Sequence, residues 1–133
     1  MFYLNTDGAS RGNPGLGACA FVLKNDKGVV LEEGGEFLGK AVTNNFAEYK
    51  GLILGLLKAS EKDMKILTCR LDSELVVKQL KGEYRVKDTH LKDLFLHLRG
   101  LTKAFDYIEF SHVPRKENKE ADKLVNKILD ENS

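Results

Sequence analysis

The chain reads as an α/β fold built on a mixed sheet, and three observations lead there. Residues 2–37 carry three short apolar runs separated by turns rich in Gly, Asn and Asp. At Asn45 the apolar period changes from that of strands to that of helices. Beyond it, helical and strand-like segments alternate without a linker, repeat or low-complexity tract. The expected order is β-β-β-α-β-α-α-β-α. An antiparallel meander is followed by two parallel strands delivered by helical crossovers, giving a five-stranded mixed sheet flanked by helices.

Residues 2–7 form the first predicted strand, stopped by the Asp7-Gly8 turn and a loop holding Gly12, Gly15 and Gly17. Ala18–Leu23 is the second. Asn25-Asp26-Lys27-Gly28 is hairpin chemistry, because Asn, Asp and Gly tolerate positive φ. Val29–Phe37 returns as the third strand, with Gly34-Gly35 marking a bulge or a weak edge. Phe46, Tyr49, Leu52, Ile53, Leu56 and Leu57 then recur at helical spacing, and Ala47 and Leu54 widen the apolar face. A helix this apolar, ended near Lys62-Asp63, belongs against a sheet. Lys65–Leu71 is a buried strand, and Ser73–Leu80 a short helix closed by Gly82. His90 to about Lys103 forms another helix, with Leu91, Leu94, Phe95 and Leu98 inward. Tyr107–His112 is the fifth strand, and Asn118–Leu129 the last helix, striped by Leu124, Val125, Ile128 and Leu129.

At 133 residues, 42% apolar and 31% charged, the chain is expected to be one domain, residues 1–133, with one core. The balance of 21 basic against 20 acidic residues leaves a net charge of +1, which by itself does not point to a nucleic-acid partner. Acids gathered in one cleft would leave the remaining surface more basic than that total. No run of about 18 apolar residues exists, so no membrane span is expected. Met1–Asn5 lack a basic leader and a signal-type apolar region, so a cytoplasmic location is expected. Cys19 and Cys69 fall in predicted strands and should be buried and reduced.

Four acids stand at the edges of predicted elements: Asp7, Glu48, Asp72 and Asp122. Each has a local explanation. Asp7 before Gly8 suits a turn, Glu48 lies three after Asn45 like a capping partner, Asp72 precedes a helix it could cap, and Asp122 could be a solvated helix charge. Together they read differently. Strand ends at residues 7 and 72 would lie side by side at one edge of the sheet, where open α/β sheets place their sites. Two ionised carboxylates about 4 Å apart repel by roughly 4 kcal/mol at an effective dielectric near 20. Four converging acids therefore need cations or protons. Oxygen-only ligands favour hard ions, Mg²⁺ or Mn²⁺, over zinc.

The segments around these acids are Thr6-Asp7-Gly8-Ala9-Ser10-Arg11-Gly12-Asn13-Pro14-Gly15, Thr43-Asn44-Asn45-Phe46-Ala47-Glu48, Asp72-Ser73-Glu74, and His112-Val113-Pro114-Arg115 running on to Ala121-Asp122. In this order they closely resemble type 1 ribonuclease H, from about residue 2 to residue 126. The resemblance implies a ribonuclease H-like fold and a metal-dependent endoribonuclease. Such an enzyme hydrolyses the RNA strand of RNA/DNA hybrids with two Mg²⁺ ions, Mn²⁺ substituting, and leaves 5′-phosphate and 3′-hydroxyl ends. Asp7 would bridge both ions, Glu48 and Asp72 would join it on one, and Asp122 would complete the other; the residues alone do not say which acid touches which ion. The resemblance also places Asn13, Asn44, Asn45 and Glu48 in the minor groove and Thr43 at a DNA-strand phosphate, with Gly12 allowing close backbone approach. Turn and cap chemistry remains the alternative for each of these.

Two departures from long-loop bacterial relatives give the chain a compact, archaeal-like look. Only Lys81–Asp88 joins the second and third helices, with no Trp in place of a basic protrusion; Lys78, Lys81, Arg85, Lys87 and Lys92 either substitute in part or form a solvated face. The loop Pro114-Arg115-Lys116-Glu117 holds no histidine. Arg115 is a candidate phosphate ligand there, His112 is expected to pack at a strand end, and His90 and His97 to be structural. Competing readings are a catalytically weak or silent nucleic-acid-binding module, a nuclease that also cuts double-stranded RNA, and a metal-binding protein without a nucleic-acid role. A monomer is the default expectation.

Overall fold

A computed structural model describes residues 1–133. Its elements are β1 (Phe2–Arg11), β2 (Gly15–Asn25), β3 (Val30–Val42), α1 (Asn44–Glu61), β4 (Ile66–Leu71), α2 (Glu74–Leu80), α3 (Thr89–Thr102), β5 (Tyr107–His112), a 3₁₀ turn (Arg115–Glu117) and α4 (Lys119–Glu131). The sheet order is β3-β2-β1-β4-β5. β1, β2 and β3 form an antiparallel meander, and β4 and β5 pair in parallel. This is the predicted order and class.

The core lies mainly on one face of the sheet. Leu4, Phe21, Leu23, Leu67, Cys69 and Leu71 point there and meet Tyr49, Leu52, Ile53, Leu56 and Ala59 of α1. Burying a side chain of this size stabilises by about 1.5–3 kcal/mol before entropy is subtracted. α3 packs against α1 and extends the same core. On the other face α4 lies over β1, β2 and β3, with Val125 and Leu129 on Ala18 and Ala20, whose small side chains admit the helix. Both cysteines are buried and free. No helix is long and apolar enough to cross a membrane.

Three strands outrun their predicted ends. β1 does not turn at Asp7-Gly8: it stays paired with β2 as far as Arg11↔Leu16, because the long antiparallel ladder overrides the local turn preference. Its parallel pairing with β4, however, stops at Asn5↔Arg70. β1 and β4 thus part company just before Asp7. β3 runs on to Val42 and is an edge strand, as Gly34-Gly35 suggested. The ladder is regular at those two glycines; the register shifts fall at Gly15/Gly17, Gly17/Ala18 and Leu23/Lys24 instead.

Candidate metal centre and nucleic-acid face

The parting of β1 from β4 opens an open-sided cleft of about 400 Å³ lined by Asp7, Gly8, Ala9, Asn44, Asn45, Glu48, Asp72, Ser73, Arg115 and Asp122. All four predicted acids are therefore brought together. Asp7 projects from β1, and Asp72 follows directly on the end of β4 at Leu71. Glu48 sits early in α1 and Asp122 in the first turn of α4. Carboxylate oxygens of Asp7, Glu48 and Asp72 lie within 4.8 Å of one another. Gly8 makes this possible: a Cβ there would fall on the backbone of Ala47 and Glu48, so only glycine lets α1 press its Glu48 turn onto β1.

Neighbours take the local roles that could have explained the acids. Thr43, not Asn45, caps α1, its Oγ1 accepting from the Phe46 N–H at 3.2 Å. Ser73 caps α2 by accepting from the Val76 N–H at 3.3 Å. Glu48 and Asp72 are left to face the cleft. Asp7 and Glu48 are almost wholly buried, at 4% and 5% exposure. The Gly8 N–H donates to Asp7 Oδ1 at 2.9 Å and to Glu48 Oε1 at 3.3 Å, while Glu48 Oε2 is buried with no partner.

These surroundings favour protons in the absence of cations. Burial, then the nearby Asp72 carboxylate, pushes Asp7 up to about 7, although a hydrogen bond with Glu48 and the Gly8 N–H pull the other way. Burial and the charges of Asp7 and Asp72 push Glu48 well above the usual carboxylate range. The hydrogen bond between them lowers Asp7 and raises Glu48, so Glu48 is the better holder of the shared proton. Asp72 is also raised, chiefly by burial, with Asn118 and Arg115 restraining it.

An acid whose folded pKa is raised destabilises the fold once pH exceeds the unfolded value, and does so fully above the folded one. Between about pH 4 and pH 7 the metal-free protein should therefore lose stability through Asp7. Asp7→Asn in EDTA should melt higher than the parent at pH 8, by an amount corresponding to about 3–4 kcal/mol, and close to the parent at pH 4. Equal melting temperatures at both pH values would contradict this.

The predicted nucleic-acid residues border the same cleft. The Gly12–Gly15 loop is tied to the start of α1: the Asn44 N–H donates to Asn13 Oδ1 at 3.0 Å, and the Ser10 N–H donates to Asn44 Oδ1 at 2.8 Å. Gly12 has φ +113°, which favours glycine, and Asn13 φ +22°. Since both amide oxygens are occupied internally, the exposed NH₂ groups of Asn13 and Asn44 remain as donors. Asn45 also lines the cleft, and Thr43 keeps its hydroxyl proton free beyond its cap bond.

The remaining candidates divide. Arg115 is 78% exposed and reaches into the cleft, with Nη2 at 3.4 Å from Asp122 Oδ1. His112 is exposed and faces Glu74, so it neither packs at the strand end nor lines the cleft. His90 and His97 are on α3 as predicted, but both are exposed and bury nothing structural. Lys78 is committed to Glu74 at 2.8 Å and lies over the Tyr84 ring. Arg85 and Lys92 border a separate small pocket with Tyr84, Phe95 and Leu96. A larger groove between α4 and β3 mixes Glu33, Lys123, Lys127 and Asp130 and shares only Asp122 with the cleft.

Sequence reasoning passed over two residues, Asn5 and Asn118, which are 2% and 1% exposed behind the acids. The available signal was Asn5 itself, a polar residue inside an apolar strand. Such a residue requires a partner when buried.

Known proteins give this geometry a family. The model described as "Reverse transcriptase-like" matches residues 5–128. A ribonuclease HI from Halobacterium salinarum is 43% identical over 94% of this chain and 62% of its own length. Mycobacterial relatives 41% identical are longer still, so that this chain spans 35% of them. The crystal structure of RNase H1 from Halobacterium salinarum superposes with a TM-score of 0.93 at 41% identity, covering 98% of both chains. LC11-RNase H1, solved in complex with an RNA/DNA hybrid, superposes at 0.89 with 36% identity, covering 96% of this chain and 95% of that one. With superposition at a TM-score of 0.93 and this degree of identity across nearly its whole length, the chain belongs to the type 1 ribonuclease H family.

Proposed function

We propose that residues 1–133 act as one nuclease domain, a metal-dependent endoribonuclease that hydrolyses the RNA strand of RNA/DNA hybrids and leaves 5′-phosphate and 3′-hydroxyl ends. One observation carries this reading: Asp7, Glu48 and Asp72 converge within 4.8 Å, and Glu48 turns a buried, unpartnered oxygen toward the group. That donor set fits hard divalent ions. It is all oxygen, it is too close to stay ionised alone, and no His or Cys joins it. Asp7, Glu48, Asp72 and Asp122 are the residues assigned to hold two Mg²⁺ ions, with Mn²⁺ as a substitute. When bound, such a pair supplies Lewis-acid stabilisation of the scissile phosphate and acidification of the attacking water.

The chain's own groups do the rest. Asp7 lies within 4.8 Å of both Glu48 and Asp72 and feels the charge of Asp122, which suits it to a shared position. The Gly8 N–H holds Asp7 and Glu48 in place before any substrate arrives. Asn13, Asn44 and Asn45 offer amide donors along one wall of the cleft, suited to the 2′-hydroxyl that distinguishes RNA from DNA. Thr43, beside the exposed start of α1, is suited to a DNA-strand phosphate. Arg115, always charged, is assigned to a backbone phosphate near Asp122. The hybrid held by LC11-RNase H1 supports this choice of substrate. All four acids come from one chain, which supports action as a monomer. Two free cysteines fit a reducing compartment such as the cytoplasm.

End-labelled RNA/DNA, RNA/RNA and DNA/DNA duplexes, each with Mg²⁺, Mn²⁺ or EDTA, test the proposal. Cleavage of the RNA strand of the hybrid alone, abolished by EDTA, is the expected result; binding without cleavage would mark a silent module. Grip on the substrate should be weak and ionic, because no basic protrusion exists and the net charge is only +1. Raising salt from about 50 to 200 mM should raise KM several-fold. A KM indifferent to salt would contradict it. Arg115→Ala should likewise raise KM several-fold at fixed salt while leaving the melting temperature unchanged, as its 78% exposure implies.

A further inference from the structure

We propose that Asn5 and Asn118 are positioning residues, a buried pair of amides whose hydrogen-bond polarity turns an N–H of Asn118 toward Asp72 and fixes the helical turn that carries Asp122. The inference rests on the metal-centre reading above and concerns how that centre is held in shape.

Asn118 is the N-cap of α4, yet it makes no side-chain capping bond. Thr43, Ser73 and Asp88, which cap α1, α2 and α3, all do. The Asn118 amide is directed into the sheet instead. Its Nδ2 donates to the Thr6 carbonyl at 2.8 Å, and its Oδ1 accepts from Asn5 Nδ2 at 3.1 Å. The same side chain faces the Asp72 carboxyl and holds it down against burial. Through its main chain, Asn118 accepts the Asp122 N–H at 3.1 Å. One residue thus touches the strand carrying Asp7, the Asp72 side chain and the Asp122 backbone.

Asn5 and the Thr6 carbonyl together set which way that amide faces. Asn5 Nδ2 meets two acceptors, Asn118 Oδ1 and the Glu117 carbonyl, the latter at 3.4 Å. Turned over, it would set oxygen against oxygen at both. In the orientation adopted its Oδ1 is buried with no partner. A buried orphan acceptor is costly, and its ladder neighbour Val22 would accommodate an apolar residue. Stability alone would favour such a residue. What asparagine provides is a donor that, with the Thr6 carbonyl, keeps Asn118 from flipping its oxygen toward Asp72, where it would repel the carboxylate.

The test compares Asn5→Leu with the parent by Mn²⁺ calorimetry, hybrid-cleavage kinetics and melting in EDTA. Mn²⁺ affinity and kcat should each fall about tenfold or more, as when groups supporting metal ligands are lost, with KM for the hybrid near the parent's. The melting temperature should stay within a few degrees. Leu129→Ala, which loosens α4 at its far end, should lower the melting temperature and leave Mn²⁺ affinity alone. Should Asn5→Leu fail to fold, Asn5→Ala removes the same donor without added bulk and carries the same expectation. A folded Asn5 variant with parental Mn²⁺ affinity and kcat overturns the proposal, as does an equal loss of affinity in Leu129→Ala. Asp7→Asn separates the two ideas. If it loses Mn²⁺ binding and cleavage while the Asn5 variants keep both, only the amide pair is refuted; if it too keeps both, the metal centre itself is.

Discussion

Asp7→Asn and Asp72→Asn should each reduce cleavage of an RNA/DNA hybrid by about 10³-fold or more, equivalent to about 4 kcal/mol of lost transition-state stabilisation. Both substitutions keep the shape of the side chain and remove the charge. Asp7 lies within 4.8 Å of Glu48 and Asp72, with Asp72 the main charge acting on it and Asp122 contributing further. The fold should survive, since neither side chain caps a helix or fills the apolar core. A gel with labelled hybrid and Mg²⁺ or Mn²⁺ reads the activity, and circular dichroism reads the fold. Parental cleavage by Asp72→Asn would remove the basis for assigning these acids to catalysis.

Gly8→Ala should produce a large loss of stability. The added Cβ would fall on the Ala47 carbonyl and the Glu48 nitrogen, which are backbone and cannot rotate aside. Either α1 lifts off the sheet or β1 bends. Overpacking usually costs 1–3 kcal/mol, and a backbone obstruction belongs at or beyond the upper end, about 3 kcal/mol. The melting temperature should drop by roughly 10 °C. Whatever folds should be inactive, because the Gly8 N–H would no longer serve Asp7 and Glu48 together. Gly100→Ala is the contrasting control. Nothing lies within 4 Å of its Cβ position in α3, so alanine should stabilise by about 0.5–1 kcal/mol. A Gly8→Ala protein that melts with the parent would show that the helix and strand are not held at this contact.

Features with a period or a motif were legible from the residues. α1 announced itself because a helix buried against a sheet repeats apolar residues every three or four positions, and its ends fall within a residue or two of those expected. The four acids were legible because each lies in a recognisable segment, although nothing local separates Glu48 from a capping residue. Thr43 and Ser73 had to be seen making the caps first. The ends of the three meander strands were not legible, whereas β5 runs over the expected Tyr107–His112. Asp7-Gly8 has turn chemistry, and only pairing with β2 shows that β1 continues to Arg11. The Asn5–Asn118 contact joins residues 113 apart and follows no spacing rule, so it could emerge only from the folded arrangement. His112 was misjudged for a related reason: whether a strand's last residue packs or projects depends on what the next loop leaves uncovered, and here it stays open to solvent.

The packing of α4 has a consequence for how the molecule is made. This helix follows β1 to β5 in the sequence, docks chiefly on β1, β2 and β3, and carries Asp122. A nascent chain that has exposed everything through β5 already contains Asp7, Glu48 and Asp72 but lacks the fourth acid and the Asn118 amide. During translation the growing polypeptide would hold an incomplete acidic cluster until α4 closes onto β1, β2 and β3.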